Sequence, residues 1–270
     1  SGSSSSAIGS SNKASKSSSS AVGYFNEASG GFSSAMGSNN TASGGFSSAL
    51  GYINNASGSL SSAVGVSNTA SGNNSSAVGL NNVASGDDGS AVGRGNTASG
   101  NESSALGNRN TASGFNSSAL GSRNTASESG ATAVGSGSLF TQVPVVGAVV
   151  QAEFTAATTA SGIRATAIGN SSVASGRDSL AMGTGSTADI RNSIALGSQS
   201  VTTVDAGVAG FGADTRTTPV WQSTLAAVSV GDTSDADSAN WQTRQITGVA
   251  AGTTDTDAVN VAQLKQVAES

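Results

Sequence analysis

The sequence predicts an all-β fold, a narrow parallel β-roll that completes one turn every 14 residues with two short strands per turn. Three observations predict it. The word Ala-apolar-Gly returns thirteen times in fixed phase, from Ala7-Ile8-Gly9 to Ala133-Val134-Gly135 and again from Ala167-Ile168-Gly169 to Ala195-Leu196-Gly197. A second half-repeat, most often Asn-Thr-Ala-Ser-Gly, places its Ala seven residues after the first, as in Asn40 to Gly44 and Asn68 to Gly72. Charged residues are only 10% and aromatic residues 4%, with Gly, Ser, Ala, Asn and Thr dominant. Such a composition hints at disorder, but the net charge of -5 is low and the pattern is phase-locked, which favours order through repetition.

Heptad spacing raises the question of a coiled coil. Gly and Ser at this density, with one large apolar residue per 14, cannot make a helical seam. Two strands and two tight turns per repeat fit better, and strand alternation then assigns faces. Ser33, Ala35 and Gly37 share one face of the first strand, with Ser34 and Met36 on the other. Asn40, Ala42 and Gly44 share one face of the second, with Thr41 and Ser43 turned to water. The Ala faces meet inside a roll too thin for larger side chains.

The outward apolar residue of the first strand forms one column: Ile8, Val22, Met36, Leu50, Val64, Val78, Val92, Leu106, Leu120, Val134, Ile168, Met182, Leu196 and, by the in-phase Ser229-Val230-Gly231, Val230. It widens near its end at Leu180 and Ile194. Soluble monomers avoid so long an exposed stripe, and further copies of the chain are its simplest cover. A column of Asn runs from Asn12 to Asn124 in a single phase. Asn tolerates left-handed turns and bonds to stacked copies of itself, so this column reads as a structural ladder rather than a ligand site.

The repeats suggest a head over 1–137, an insert over 138–160, the head resumed over 161–200, a second insert over 201–228, a last rung and neck over 229–253, and a helical stalk beginning at 254–270. Each insert spaces the repeat by 34, one repeat plus 20 residues, and each is richer in apolar residues than the rungs around it. They are expected to leave the roll as loops or hairpins. Asp257 is the expected N-cap, and Val261, Leu264 and Ala268 have the spacing of a coiled-coil seam.

The absence of His and Cys removes most nucleophile–base pairs, disulfides and most transition-metal sites. No Asp repeats in phase as calcium rolls require, and Asp232, Asp235 and Asp237 read as a solvated acidic loop. The chain is read as a non-enzyme without cofactor or metal. A pI near 4.5 gives no case for nucleic acid, and no apolar run is long enough to insert this chain in a membrane as a helix. The start at Ser1, without signal-peptide features, suggests a processed protein or a fragment.

Arg244 to Thr253 (Arg-Gln-Ile-Thr-Gly-Val-Ala-Ala-Gly-Thr) and Thr256 to Val261 (Thr-Asp-Ala-Val-Asn-Val), together with the half-repeats and inserts, carry a resemblance. The chain resembles the YadA-like head and neck of trimeric autotransporter adhesins, with Gly248 where Asn is usual. The resemblance implies a left-handed roll, a homotrimer packed on the apolar stripe, and a neck (Arg244, Ile246, Val249, Asp257, Val261, Leu264) narrowing onto a three-stranded stalk. It also implies display on a Gram-negative outer membrane, through an anchor segment that this sequence lacks, and binding to host extracellular-matrix or cell-surface proteins or glycans. The columns that depart from polarity, Tyr24 and Tyr52, Phe32 and Phe46, and the stacked Arg109 and Arg123, are the candidate ligand surface, with packing along the rod or between subunits as the plainer reading. A rigid spacer projecting another head is the alternative. An ice-binding solenoid is a weaker one, because Lys13, Glu27, Asn55 and Val83 interrupt the Thr column.

Overall fold

In the computed structural model, which describes residues 2–136 and 157–269, the chain winds as a two-sheet parallel β-solenoid. Each turn gives a longer strand to one sheet and a two-residue strand to the other. The first sheet has 14 strands, from Ser6–Ser10 and Ser20–Tyr24 to Ile194–Leu196 and Val228–Ser229; the second has 12, from Lys13–Ala14 to Thr187–Ala188. Neighbours pair at an offset of one repeat, so that Ala77 lies beside Ala63 and Ala91, and Val78 beside Val64 and Val92.

The interior is built from the smallest side chains. Ala77 of the first sheet and Ala70 and Ala84 of the second are fully buried, as are nearly all their in-phase copies, and the largest fully buried side chains are the ladder Asn residues. The turn chemistry differs from expectation. The ladder Asn does not take the left-handed conformation; the residue before it does, as at Phe25 (φ 52°), Asn39 (56°), Ile53 (55°) and Arg109 (55°). That leaves the Asn side chain free to point inward, which a left-handed backbone at the same residue would not favour. Two residues earlier, Gly79 has φ 118°, and a Cβ there would lie 2.1 Å from the carbonyl oxygen of Gly93 on the next turn. Only Gly lets the rungs approach so closely.

The Asn column is a buried hydrogen-bond ladder. The Nδ2 of Asn68 donates to Asn54 Oδ1 (3.0 Å), to the Val64 carbonyl (2.9 Å) and to the Gly79 carbonyl (2.7 Å). Its Oδ1 accepts from both the backbone and the side-chain nitrogen of Asn82, each at 3.0 Å. The pattern extends rung by rung to Asn124, whose Oδ1 has no partner among the described residues. Beyond it the same phase holds Thr158, Ser172, Ser186 and Ser200, all buried. The first-sheet strands shorten at that point from five residues to three, as in Thr166–Ile168.

Most of the first insert lies outside the described residues. The roll has resumed by Thr158, with Thr159–Ala160 paired to Thr125–Ala126, so the tail of the 138–160 segment is already a rung. The second insert begins from Val201, whose N–H donates to the Gly231 carbonyl at 2.8 Å. It contains one antiparallel bridge, Ala209 to Gln222, and the Arg216 guanidinium lies 3.6 Å over the Trp221 ring. It re-enters the first sheet as Val228–Ser229, with Ser229 beside Ala195.

Candidate assembly and adhesion surfaces

The apolar column stands on the outer side of the first sheet for the length of the roll. Ile8, Met36, Leu50, Val92, Leu106, Leu120, Ile168, Met182 and Leu196 are exposed, while Val22, Val64, Val78, Val134 and Val230 are half-buried. Leu120 keeps 48% of its surface although Ala119 beside it keeps 1%. Strand alternation produces that contrast: one residue fills the roll, and the next leaves it. Leu180 and Ile194, half-buried, widen the column near its end.

The roll is closed at its last turn by the neck. After the second insert, Asp232 and Gln242 pair through two backbone bonds of 2.8 Å around a short 3-10 turn, Ser238–Asn240. The carboxylates in this hairpin serve local amides: Asp237 accepts from Ala239 N (2.9 Å), and Asp235 from Asp237 N (2.8 Å) and Asn240 Nδ2 (3.1 Å). Trp241 Nε1 donates to the Asp235 carbonyl at 2.8 Å, which fixes the path of the segment. Arg244 then reaches back to the roll. Its guanidinium donates to Ser200 Oγ (3.0 Å), to the Val230 carbonyl (2.5 Å) and to the Ser198 carbonyl. A cation here supplies donors to carbonyls that no further rung would satisfy.

The stalk helix, Val261–Glu269, starts later than Asp257. Its cap is Asn260, whose Oδ1 accepts from Gln263 N (3.1 Å) while Gln263 Oε1 accepts from Asn260 N (3.2 Å), a reciprocal capping box. Gln263 also brackets Gly252, accepting from its N–H and donating to its carbonyl, each at 3.0 Å. Asp257 instead ties the preceding loop. Its carboxylate accepts from the backbone and hydroxyl of Thr253 and from Thr254 N, and these bonds lower its pKa to about 2. Asp therefore reads as a cap in sequence but closes a turn one step earlier, and the Asn-x-x-Gln spacing was the signal that marks the helix start. Ile246, Val261 and Leu264 are 70%, 68% and 64% exposed, and Val249 is half-buried.

The candidate ligand residues occupy the two turn edges of the roll. Phe32 and Phe46 precede first-sheet strands and stack in parallel on adjacent rungs, with ring centroids 4.8 Å apart and planes within 1°. Tyr24 and Tyr52 end first-sheet strands two rungs apart, with Ser38 between them, so they do not form a continuous pair. Tyr24 meets Phe25 edge-on at 4.5 Å. Arg109 and Arg123 follow strands on that same edge, Arg109 exposed and Arg123 half-buried. Sequence inspection missed Phe25 and Ile53, which sit beside Tyr24 and Tyr52 and are 51% and 47% exposed.

The YadA head domain repeat matches residues 1–26, 28–52, 56–82, 84–110, 112–138, 160–186 and 174–200. The coiled stalk of trimeric autotransporter adhesin matches residues 245–270. The chain belongs to the YadA-head family of trimeric autotransporter adhesins. Within that family, a stretch of 70 residues is 51% identical to autotransporter adhesin BadA of Bartonella henselae; it covers 24% of this chain and 2% of that much longer protein. The crystal structure of the collagen-binding domain of the Yersinia adhesin YadA is 27% identical, with 85% of this chain and 86% of that one covered and a TM-score of 0.38.

Proposed function

We propose that this chain is the head and upper neck of a homotrimeric adhesin displayed on a Gram-negative outer membrane, binding host extracellular-matrix or cell-surface molecules without catalysis. One observation carries the reading. The roll buries almost nothing larger than Ala and Asn, while a full-length column of aliphatic residues remains on its outer face. A rod whose apolar residues lie outside gains its hydrophobic stabilisation by association, and a column in strict register suits a partner with the same repeat. Family membership supports three copies, the surface location and adhesion. The exposed helix residues Val261 and Leu264 would continue the contact into the stalk.

The polar rungs and aromatic edges offer a long repetitive surface suited to several weak contacts acting together. Sedimentation of the purified chain is expected to give the trimer mass. Trimers applied to immobilised collagens, other matrix proteins and glycan arrays are expected to bind at least one of them, and more tightly than a chain dissociated by substitution in the column. Folded trimers that bind none of these would turn the reading to a rigid spacer.

A further inference from the structure

We propose that the two turn edges of the roll form a second subunit contact, in which the edge that follows the first-sheet strand in one copy docks at the same height on the edge that precedes that strand in the next copy. The inference rests on the cyclic assembly proposed above. Three-fold rotation about an axis along the rod leaves every rung at its own height and brings unlike edges together, because the contacts of a three-fold ring are heterologous. Complementarity across the edges, rung by rung, is therefore what such an assembly needs and what an isolated roll does not.

On two successive rungs the edges are complementary in charge. On the rung of strand Ser90–Arg94, Asp88 stands before the strand and Arg94 ends it; on the rung of Ser104–Asn108, Glu102 stands before and Arg109 after. All four side chains are exposed, and none is among the ion pairs formed between the described residues. The contrast with the lower rungs is instructive. There Arg164 meets Asp178 through two bonds of 2.6 and 2.7 Å, and Arg177 lies 3.3 Å from the same carboxylate, so that cluster is satisfied along its own edge. Nearer the N-terminus the matching is apolar: Phe46 precedes the strand that ends in Tyr52 and continues to Ile53, and Leu60 precedes the strand that ends in Val66.

Backbone conformation points the same way. Phe25, Ile53, Phe46 and Leu60 have φ between 52° and 58°, a region that bulky and β-branched residues rarely adopt. Apart from Phe32, their columns elsewhere hold polar or charged residues or Gly: Ser, Asn, Asp, Glu, Gln, Arg and Gly. Placing large apolar groups at strained positions and leaving them 47% to 59% exposed is unfavourable twice over unless something covers them. For Phe46, Ile53 and Leu60 the opposite edge of a second copy, apolar on the same rungs at Tyr52, Phe46 and Val66, is the cover that fits; on the rung of Phe25 the opposite edge is Ser18.

The chain has no cysteine, so engineered ones report on this contact alone. The doubly substituted chain Asp88→Cys/Arg94→Cys should oxidise to a covalent trimer on a denaturing non-reducing gel, and neither single variant should. A bridge within one chain is excluded, since the intervening strand separates the two positions by about 13 Å, beyond the ~7 Å Cα limit for a disulfide. Moving one partner three rungs down, as Asp88→Cys/Ser136→Cys, should abolish the product. As a second readout, Arg94→Glu/Arg109→Glu should lower the trimer's melting temperature, and adding Asp88→Lys/Glu102→Lys should restore it. Absence of covalent trimer in a chain that sediments as a trimer would overturn the edge contact and leave the trimer standing. A monomer by sedimentation would overturn both.

Discussion

Removing one ladder side chain in mid-roll, Asn68→Ala, should be far costlier than an ordinary polar-to-Ala change. Asn68 makes three donor contacts of 2.7 to 3.0 Å and two acceptor contacts of 3.0 Å, and it is fully buried. A typical hydrogen bond contributes about 1 kcal/mol net, and a buried N–H left without a partner costs about 1–3 kcal/mol. The substitution removes the donors and strands the Asn82 backbone N–H, which gives roughly 3–5 kcal/mol. Asn124→Ala is the internal control. Asn124 Oδ1 has no partner among the described residues, so its removal strands none of their amides and should cost about 1–3 kcal/mol less. The assay is hydrogen exchange at the Asn82 amide together with the melting temperature. At a tenfold change per ~1.4 kcal/mol, exchange there should accelerate by about 100-fold or more in Asn68→Ala and remain unchanged in Asn124→Ala. Equal, small losses in the two variants would refute the ladder as a source of stability and reduce it to a by-product of the repeat.

Three further predictions follow from the rungs and the neck. Val78→Asp or Leu106→Asp places uncompensated charge in the apolar column and should dissociate the trimer; sedimentation that still gives a stable trimer would show that the column faces elsewhere. Gly79→Ala forces a Cβ to 2.1 Å from the Gly93 carbonyl at φ 118°, and should cost about 3 kcal/mol or more in thermal unfolding, whereas Gly31→Ala meets nothing within 4 Å and should be near neutral. The Asp257 pKa is lowered from 3.8 to about 2, so its contribution to neck order is fully present above about pH 4 and is lost as pH falls through about 2. Amide shifts of Thr253 and Thr254 should titrate with that midpoint, and Asp257→Asn should remove the titration.

What was legible in the sequence was whatever the repeat writes many times over. The strand positions, the inward Ala, the outward aliphatic residue and the Asn ladder each recur in phase, so one alternation argument settles them all. Features that occur once were harder. Asp257 looks like a cap because Asp caps helices generally, but Asn260 and Gln263 satisfy both ends of the capping box three residues later. The role of Arg244 is invisible in sequence because its partners, Ser198, Ser200 and Val230, are distant in the chain and are gathered only when the roll ends. The left-handed turn residue was also hidden: its column mixes Ser, Phe, Asn, Ile, Gly and Arg, and the residue type that best tolerates the conformation stands one position further on.

That last displacement explains how the rod combines uniformity with variation. The inward positions admit only Ala, Ser, Thr, Asn and Gly, because any larger group would separate rungs that touch through carbonyl oxygens. The turn residues point outward, and the ladder beside them holds the turn whatever side chain they carry. A roll built this way accepts Phe, Ile, Arg or Asp at its edges with little change to its backbone, at the cost of local strain where the residue is bulky. Edge chemistry can therefore change from rung to rung, apolar near Phe46 and charged near Asp88, while the column at Leu50, Val78 and Leu106 stays aliphatic throughout. The invariant column is suited to holding copies together at any height, and the varied edges are suited to fixing which heights meet.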